Sequence, residues 1–253
     1  MSEQYLTGKT ALVTGSSRNL GAATAQALAS HGARVVVTYH RSPAEGHSLV
    51  EALRTDTGLD HILVEGDVAT SSGTRDLVDR ALAQVGRIDI LVNNAGPFAM
   101  EPFAELALTE FERIWSANVK AAHVATQAVV PGMREGGWGR IINVSAGSAY
   151  IRNHSIYTLA KAAMITFTEE LALELAPLIT VNAIAPGQIA ESADDIAEFD
   201  PSFVERAIEW TPVGRLVRRP EVAEIVAEMC GPRFDMVTGI TIPIDGGWRL
   251  PRF

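Results

Sequence analysis

Short apolar, β-branched runs alternate along this chain with longer stretches whose apolar residues recur every three or four positions. The spacing predicts strands over Thr10–Thr14, Arg34–Thr38, His61–Val64, Ile88–Val92, Arg140–Val144, Ile179–Ile184 and Ile240–Ile244. Between them it predicts helices over Gly21–Ser30, Ala44–Arg54, Ser71–Gln84, Thr109–Met133 and Ile156–Ala176. The strands are almost continuously apolar, so both faces of their sheet must be covered, as happens when helices join parallel strands. Right-handed crossovers then give an α/β fold: a single doubly wound parallel sheet of the Rossmann type with helices on both faces. No repeat, low-complexity tract or linker divides residues 1–253, and one domain is expected. Only Gln188–Thr211 breaks the rhythm, being acidic and without strand character. After a late strand it falls at the carboxyl edge, where such folds bind ligands. It reads as a lid over the substrate (188–211), with a merely decorative surface loop as the alternative.

Composition narrows the partners. Hydrophobic residues make up 47% and charged residues 20%, ordinary values for a globular protein. A net charge of −9 argues against nucleic acid, which selects a basic face. Cys230 is the only cysteine, so an intrachain disulfide and a cysteine-rich metal site are excluded; no metal is expected. The first residues carry no apolar signal core, and no run approaches the roughly 18 apolar residues that span a bilayer. A cytoplasmic protein with no membrane partner is the expectation. The two long helices carry Ala-rich faces broader than one sheet needs, with Ala121, Ala122, Ala125 and Ala128 on one and Ala162, Ala163, Phe167 and Leu171 on the other. A homo-oligomer, tetramer or dimer, would cover them.

Chemistry enters with Tyr157-Thr-Leu-Ala-Lys161. Residues four apart share a helix face, so an ammonium can approach the phenol, favour phenolate and turn tyrosine into a proton donor. Alone, the pair also fits two solvated residues on a helix surface. A second candidate lies between the first strand and first helix, Thr14-Gly15-Ser16-Ser17-Arg18-Asn19-Leu20-Gly21. Glycines there let the backbone approach a pyrophosphate, and the helix start offers free N–H groups. A site for NAD wants a carboxylate about 20 residues on. No Asp or Glu occurs between Gly15 and Glu45, and the second strand ends Tyr39-His40-Arg41-Ser42. With Arg18 in the turn, two guanidiniums and a hydroxyl suit the 2′-phosphate of NADP(H); as a lone residue, Arg41 would be an ordinary surface arginine.

Together these residues resemble the short-chain dehydrogenase/reductase family, from about Leu6 to Trp248. Thr14-Gly15…Gly21, Asp67-Val68, Asn93-Asn94-Ala95-Gly96, Asn118, Tyr157 with Lys161, and Pro186-Gly187 occur in the family's order and near its spacings. The resemblance implies a nicotinamide cofactor across the strand ends, touched by Gly15, Ser17, Arg18, Asn19, Leu20 and Gly21 and by Tyr39, His40, Arg41 and Ser42. Asp67 and Val68 would face the adenine, and Asn94, Ala95 and Gly96 would lie beneath the ribose. Lys161 would hold the nicotinamide ribose, Asn118 would support a proton-refilling water chain, and Pro186, Gly187 and Ile189 would line the nicotinamide end. Tyr39–Glu45 and Ile156–Lys161 are similar to pteridine reductases, while the general run is equally similar to 3-oxoacyl reductases. The implied activity is NADPH-dependent reduction of a carbonyl on a small or acyl-carrier-bound molecule, with C=N or C=C reduction or a non-catalytic NADP-binding regulator as alternatives. Three departures stand out. Asn19 replaces a turn glycine. Ala146 occupies the usual place of the carbonyl-polarising serine in a loop two residues short, leaving Ser145 as the favoured hydroxyl, with Ser148 or no serine at all as the alternatives. Glu191 stands where a threonine usually meets the carboxamide, so it either disturbs the pocket or swings away with the lid.

Overall fold

The computed structural model describes residues 4–151, 154–193 and 200–250. Seven strands form one parallel sheet: β1 Thr10–Val13, β2 Arg34–Tyr39, β3 Ile62–Glu65, β4 Ile90–Asn93, β5 Gly139–Val144, β6 Ile179–Pro186 and β7 Thr241–Ile244. Their order, β3-β2-β1-β4-β5-β6-β7, reverses direction between β1 and β4 and opens the ligand crevice there. Helices α1 (Asn19–Ser30), α2 (Pro43–Thr57), α3 (Ser71–Val85), α4 (Leu108–Trp115), α5 (Ala121–Glu135), α6 (Ser148–Ile151), α7 (Ile156–Leu175), α8 (Phe203–Glu209) and α9 (Arg219–Cys230) connect or flank the strands.

The period of two along each strand explains the uninterrupted apolar pattern. Ala11, Val13, Val35, Val37, Val92, Ile142 and Ile184 point into one buried cluster, shared with α1 and α9. Leu12, Val36, Leu91, Ile141 and Val181 point into the other, shared with α3, α5 and α7. The doubly wound sheet is therefore covered on both faces, as the sequence predicts.

Three features depart from that reading. The expected helix Thr109–Met133 is interrupted by a π-helical turn, Ser116–Lys120, which carries Asn118. Helix α9 was not anticipated, although Pro220 in its first turn and Glu221 accepting from Arg218 N at 2.8 Å are helix-start signals. Finally, Ala121, Ala122, Ala125 and Leu171 are buried within the single chain. Only Ala128, Ala162, Ala163 and Phe167 remain half-buried, so the surface left for another copy is narrower than the sequence suggests. Among the described residues, no helix is long and apolar enough to cross a membrane, and no three His, Cys, Asp or Glu converge on a metal.

Candidate active site

The β1–α1 turn is tied down from two neighbouring strands. Gly15 adopts φ 63 and donates its N–H to Thr38 Oγ1 at 2.8 Å. Ser16 and Ser17 both donate to the Thr38 carbonyl at 3.1 Å. Asn19 accepts the left-handed backbone expected of it, φ 55. Gly21 closes the turn so tightly that a Cβ there would stand 2.3 Å from the Gly15 carbonyl. From β4, Asn94 N and Ala95 N donate to Thr14 Oγ1 at 3.0 Å, and Asn94 Nδ2 donates to Thr14 O at 2.9 Å. The Asn93–Gly96 turn thus braces the glycine turn directly.

This cradle fits a dinucleotide phosphate. Arg18 occupies the α1 N-cap in extended backbone without a side-chain cap, leaving the first-turn N–H groups open. The Leu20 side chain enters the core, so only its backbone can face a ligand. Arg18, His40 and Arg41 are exposed and Ser42 half-buried; among the described residues neither guanidinium has a polar partner. Tyr39 O accepts from Gly66 N at 2.8 Å, bringing the ends of β2 and β3 together. Beside them Asp67 accepts from Ala69 N at 2.9 Å and lies 3.6 Å from His40 Nδ1, with half-buried Val68 next to it.

The other half of the crevice holds the proton chemistry. Ser155 caps α7 by accepting from Thr158 N at 3.2 Å and sets Tyr157 and Lys161 on its opening turns. Lys161 Nζ donates to Val144 O at 2.8 Å and sits 5.5 Å from the Tyr157 ring centroid. The expectation that Lys161 lowers the tyrosine pKa is not met. Tyr157 is half-buried, and desolvation pushes its pKa up to about 12. Burial also lowers Lys161 to about 8. Phe98 stands edge-on to Tyr157, ring centroids 5.0 Å apart, and adds to that desolvation. Asn118 Nδ2 donates to Pro97 O at 3.2 Å and Ile114 O at 3.0 Å, while its Oδ1 is buried with no protein partner.

The two candidate serines differ in what they touch. Ser145 Oγ is buried and donates to Lys161 O at 2.7 Å, so its hydrogen is already committed to the α7 backbone. Ser148 Oγ is buried and unpartnered. Gly147, just before it, donates to Pro186 O at 2.7 Å, which sets Ser148 beside the Pro186-Gly187 turn. Gly187 is itself held by Ile244 O at 2.9 Å, and Ile189 bridges to Val217. The Glu191 carboxylate accepts from Arg219 N at 3.2 and 3.1 Å, at the positive N-terminus of α9. Of the expected lid, Ala190–Ser192 and α8 are described; 194–199 lie outside the described residues.

The family described as enoyl-(acyl carrier protein) reductase matches residues 15–249. Human L-xylulose reductase is 34% identical over 250 residues, covering 97% of this chain and 98% of the relative. The chain belongs to the short-chain dehydrogenase/reductase family. It is an oxidoreductase of that family, and solved members superimpose throughout. A gluconate 5-dehydrogenase from Burkholderia cenocepacia in complex with NADP and tartrate has a TM-score of 0.90 at 28% identity, covering 99% of this chain and 98% of its own. A 7α-hydroxysteroid dehydrogenase complexed with NADH and 7-oxo glycochenodeoxycholic acid also scores 0.90 at 28% identity, covering 97% and 96%.

Several site residues escaped the sequence reading. Thr38 is a strand-end residue whose hydroxyl helps to organise the glycine turn, a role that β-propensity conceals. Phe98 stands two residues after the Asn-Asn-Ala-Gly turn, and its apolar side chain so near that motif was a usable signal. Trp248, 3.5 Å from where a Gly147 Cβ would lie, comes from a part of the chain that only the sheet order brings near.

Proposed function

We propose that this oxidoreductase uses NADPH to reduce a carbonyl on a small or carrier-bound molecule, in the manner of 3-oxoacyl reductases. The observation that carries the reading is the placement of Tyr157 and Lys161 on the opening turns of α7, with Lys161 Nζ 5.5 Å from the Tyr157 ring; with its pKa raised by burial to about 12, the phenol stays protonated near neutral pH and is an acid ready for a developing alkoxide. NADPH bound in the crevice supplies the hydride. Tyr157 donates the proton to the oxygen. Ser148, with an uncommitted hydroxyl, polarises the carbonyl, and Lys161 as ammonium holds the cofactor ribose and stabilises charge at the phenol oxygen. The orphan Oδ1 of Asn118 receives a water that returns the proton.

The NADPH preference is supported by exposed, unpaired Arg18 and Arg41 and by the absence of a carboxylate from Gly15 to Ala44. NADPH is expected to bind at least tenfold more tightly than NADH, about 1.4 kcal/mol. Titration calorimetry tests this: equal dissociation constants, or an Arg41→Ala variant that keeps the full preference, would remove the argument. The description of the matched family favours a second reading, C=C reduction of an enoyl thioester. Assaying enoyl and 3-oxoacyl thioesters side by side separates the two.

A further inference from the structure

We propose that the site accepts a carbonyl carried on an apolar ring rather than on a polyhydroxylated chain, an inference that rests on the reductase reading above. Large apolar side chains are unevenly exposed around the crevice. Among the described residues, none is exposed in the turns after β1, β2 and β3, where the adenosine end would lie. After β4 come Phe98, 59% exposed, and Met100; after β5, Tyr150; after β6, Trp210 and Val213. Because all seven strands are parallel, these loops leave the sheet at one edge, the edge that carries Tyr157.

Direct contacts place several of them at the reacting end. The Phe98 ring meets the ring of the proton donor edge-on, as described. The same loop is fixed to the start of α7 by a β-bridge between Pro102 and Ser155. Val213 N donates to Gly246 O at 3.2 Å, bringing the chain that follows α8 onto the segment that leads to Trp248. Trp248 packs at Gly147, one residue from Ser148, and its indole Nε1 is buried without a partner.

The polar inventory is short. Arg249 lies over the Tyr150 ring at 5.2 Å, with its Nε 3.6 Å from Asp245 Oδ2 but without a hydrogen bond. Glu191 is engaged at α9. Polar side-chain atoms without a hydrogen-bond partner at this end include Ser148 Oγ, Trp248 Nε1, Asn118 Oδ1 and Arg249 Nε, and with the Tyr157 hydroxyl they can address a carbonyl and a few further polar atoms. A polyol would strand its remaining hydroxyls against aromatic rings, whereas an aromatic or cyclic ketone stacks on them.

The test compares kcat/KM of the NADPH-loaded enzyme for an aryl β-ketoester and for a ketopentose. The aryl substrate is expected to be favoured at least tenfold, and Phe98→Ser to shrink that ratio at least tenfold while the mass by light scattering stays unchanged. A ketopentose turned over as well as the aryl ester overturns the proposal. So does a Phe98→Ser variant of altered mass, which would mean that a second copy covers these side chains. If neither ketone is reduced, titrating the aryl alcohol and a pentitol against the NADP+-loaded chain reads binding without chemistry. Tighter aryl-alcohol binding that Phe98→Ser abolishes supports the apolar site while the reductase reading falls; equal binding overturns the site.

Discussion

Replacing Ser145 and Ser148 by alanine, one at a time, should produce opposite kinds of damage. Ser145 Oγ donates a buried 2.7 Å hydrogen bond to Lys161 O. Its loss costs about 1 kcal/mol, since the carbonyl keeps its helical partner, and up to about 3 kcal/mol if it does not. For a domain of this size, 1 kcal/mol lowers Tm by about 2–4 °C. Turnover should stay within about fivefold of wild type, because no proton or polarising donor has gone. Ser148 Oγ makes no protein hydrogen bond, so Ser148→Ala should leave Tm almost unchanged. As the polarising donor, however, its removal should lower kcat by about 10²–10³, or about 2.7–4 kcal/mol of transition-state stabilisation. Steady-state NADPH oxidation and calorimetric melting on the same preparations read both quantities. A Ser145→Ala enzyme with normal Tm and collapsed kcat, beside a Ser148→Ala enzyme with normal kcat, would refute the assignment.

Two further outcomes follow from burial and from the surface. For reduction, kcat/KM should be flat near neutral pH and fall above about 8 as Lys161 loses its proton, because Tyr157 stays protonated until about 12; a reductive profile still rising through pH 9 would contradict this. Stability shows the opposite sign over part of that range: between about 8 and 10.5 the unfolded chain holds the lysine proton that the native chain has released, so the lysine contribution rises with pH, and above 10 the raised tyrosine pKa turns stability down again. Urea melts at pH 7.5, 9.5 and 11.5 check the sequence of signs. The half-buried Ala128, Ala162, Ala163 and Phe167 lead us to propose a homo-oligomer, tetramer or dimer; light scattering at micromolar concentration should return a multiple of 27.1 kDa, and a monomer mass would exclude it.

How much of this was legible beforehand depends on the range of the interaction. The strands were readable because both faces of each are apolar, and their order follows from parallel crossovers. The glycine turn and the Tyr157–Lys161 pair were readable because their chemistry is carried by residues within one turn or one helix. The choice between the serines lies at a different level. Spacing from Tyr157 favoured Ser145, but which hydroxyl is free depends on the Lys161 carbonyl, supplied by a helix that packs back against β5. The pKa expectation failed for a similar reason. Spacing places Lys161 near Tyr157, yet its Nζ donates to Val144 O, and desolvation of the half-buried tyrosine outweighs the neighbouring charge. The π-turn at Asn118 has no compositional signal in an otherwise regular helical pattern. Glu191 illustrates a long-range rescue: an acidic residue in an awkward place is absorbed by an N-terminus that exists only because α9 forms 28 residues later.

The central claim is that Tyr157 delivers the proton, and Tyr157→Phe tests it most directly. The ring still packs against Phe98 and only the hydroxyl is gone, so the NADPH dissociation constant, measured by titration, should change by less than about twofold. Turnover of NADPH with an active carbonyl substrate should fall by at least about 10³-fold, within the contribution expected of a positioned general acid and the hydrogen bond it makes. A Tyr157→Phe enzyme that binds NADPH normally and keeps turnover within a few-fold of wild type would contradict the account.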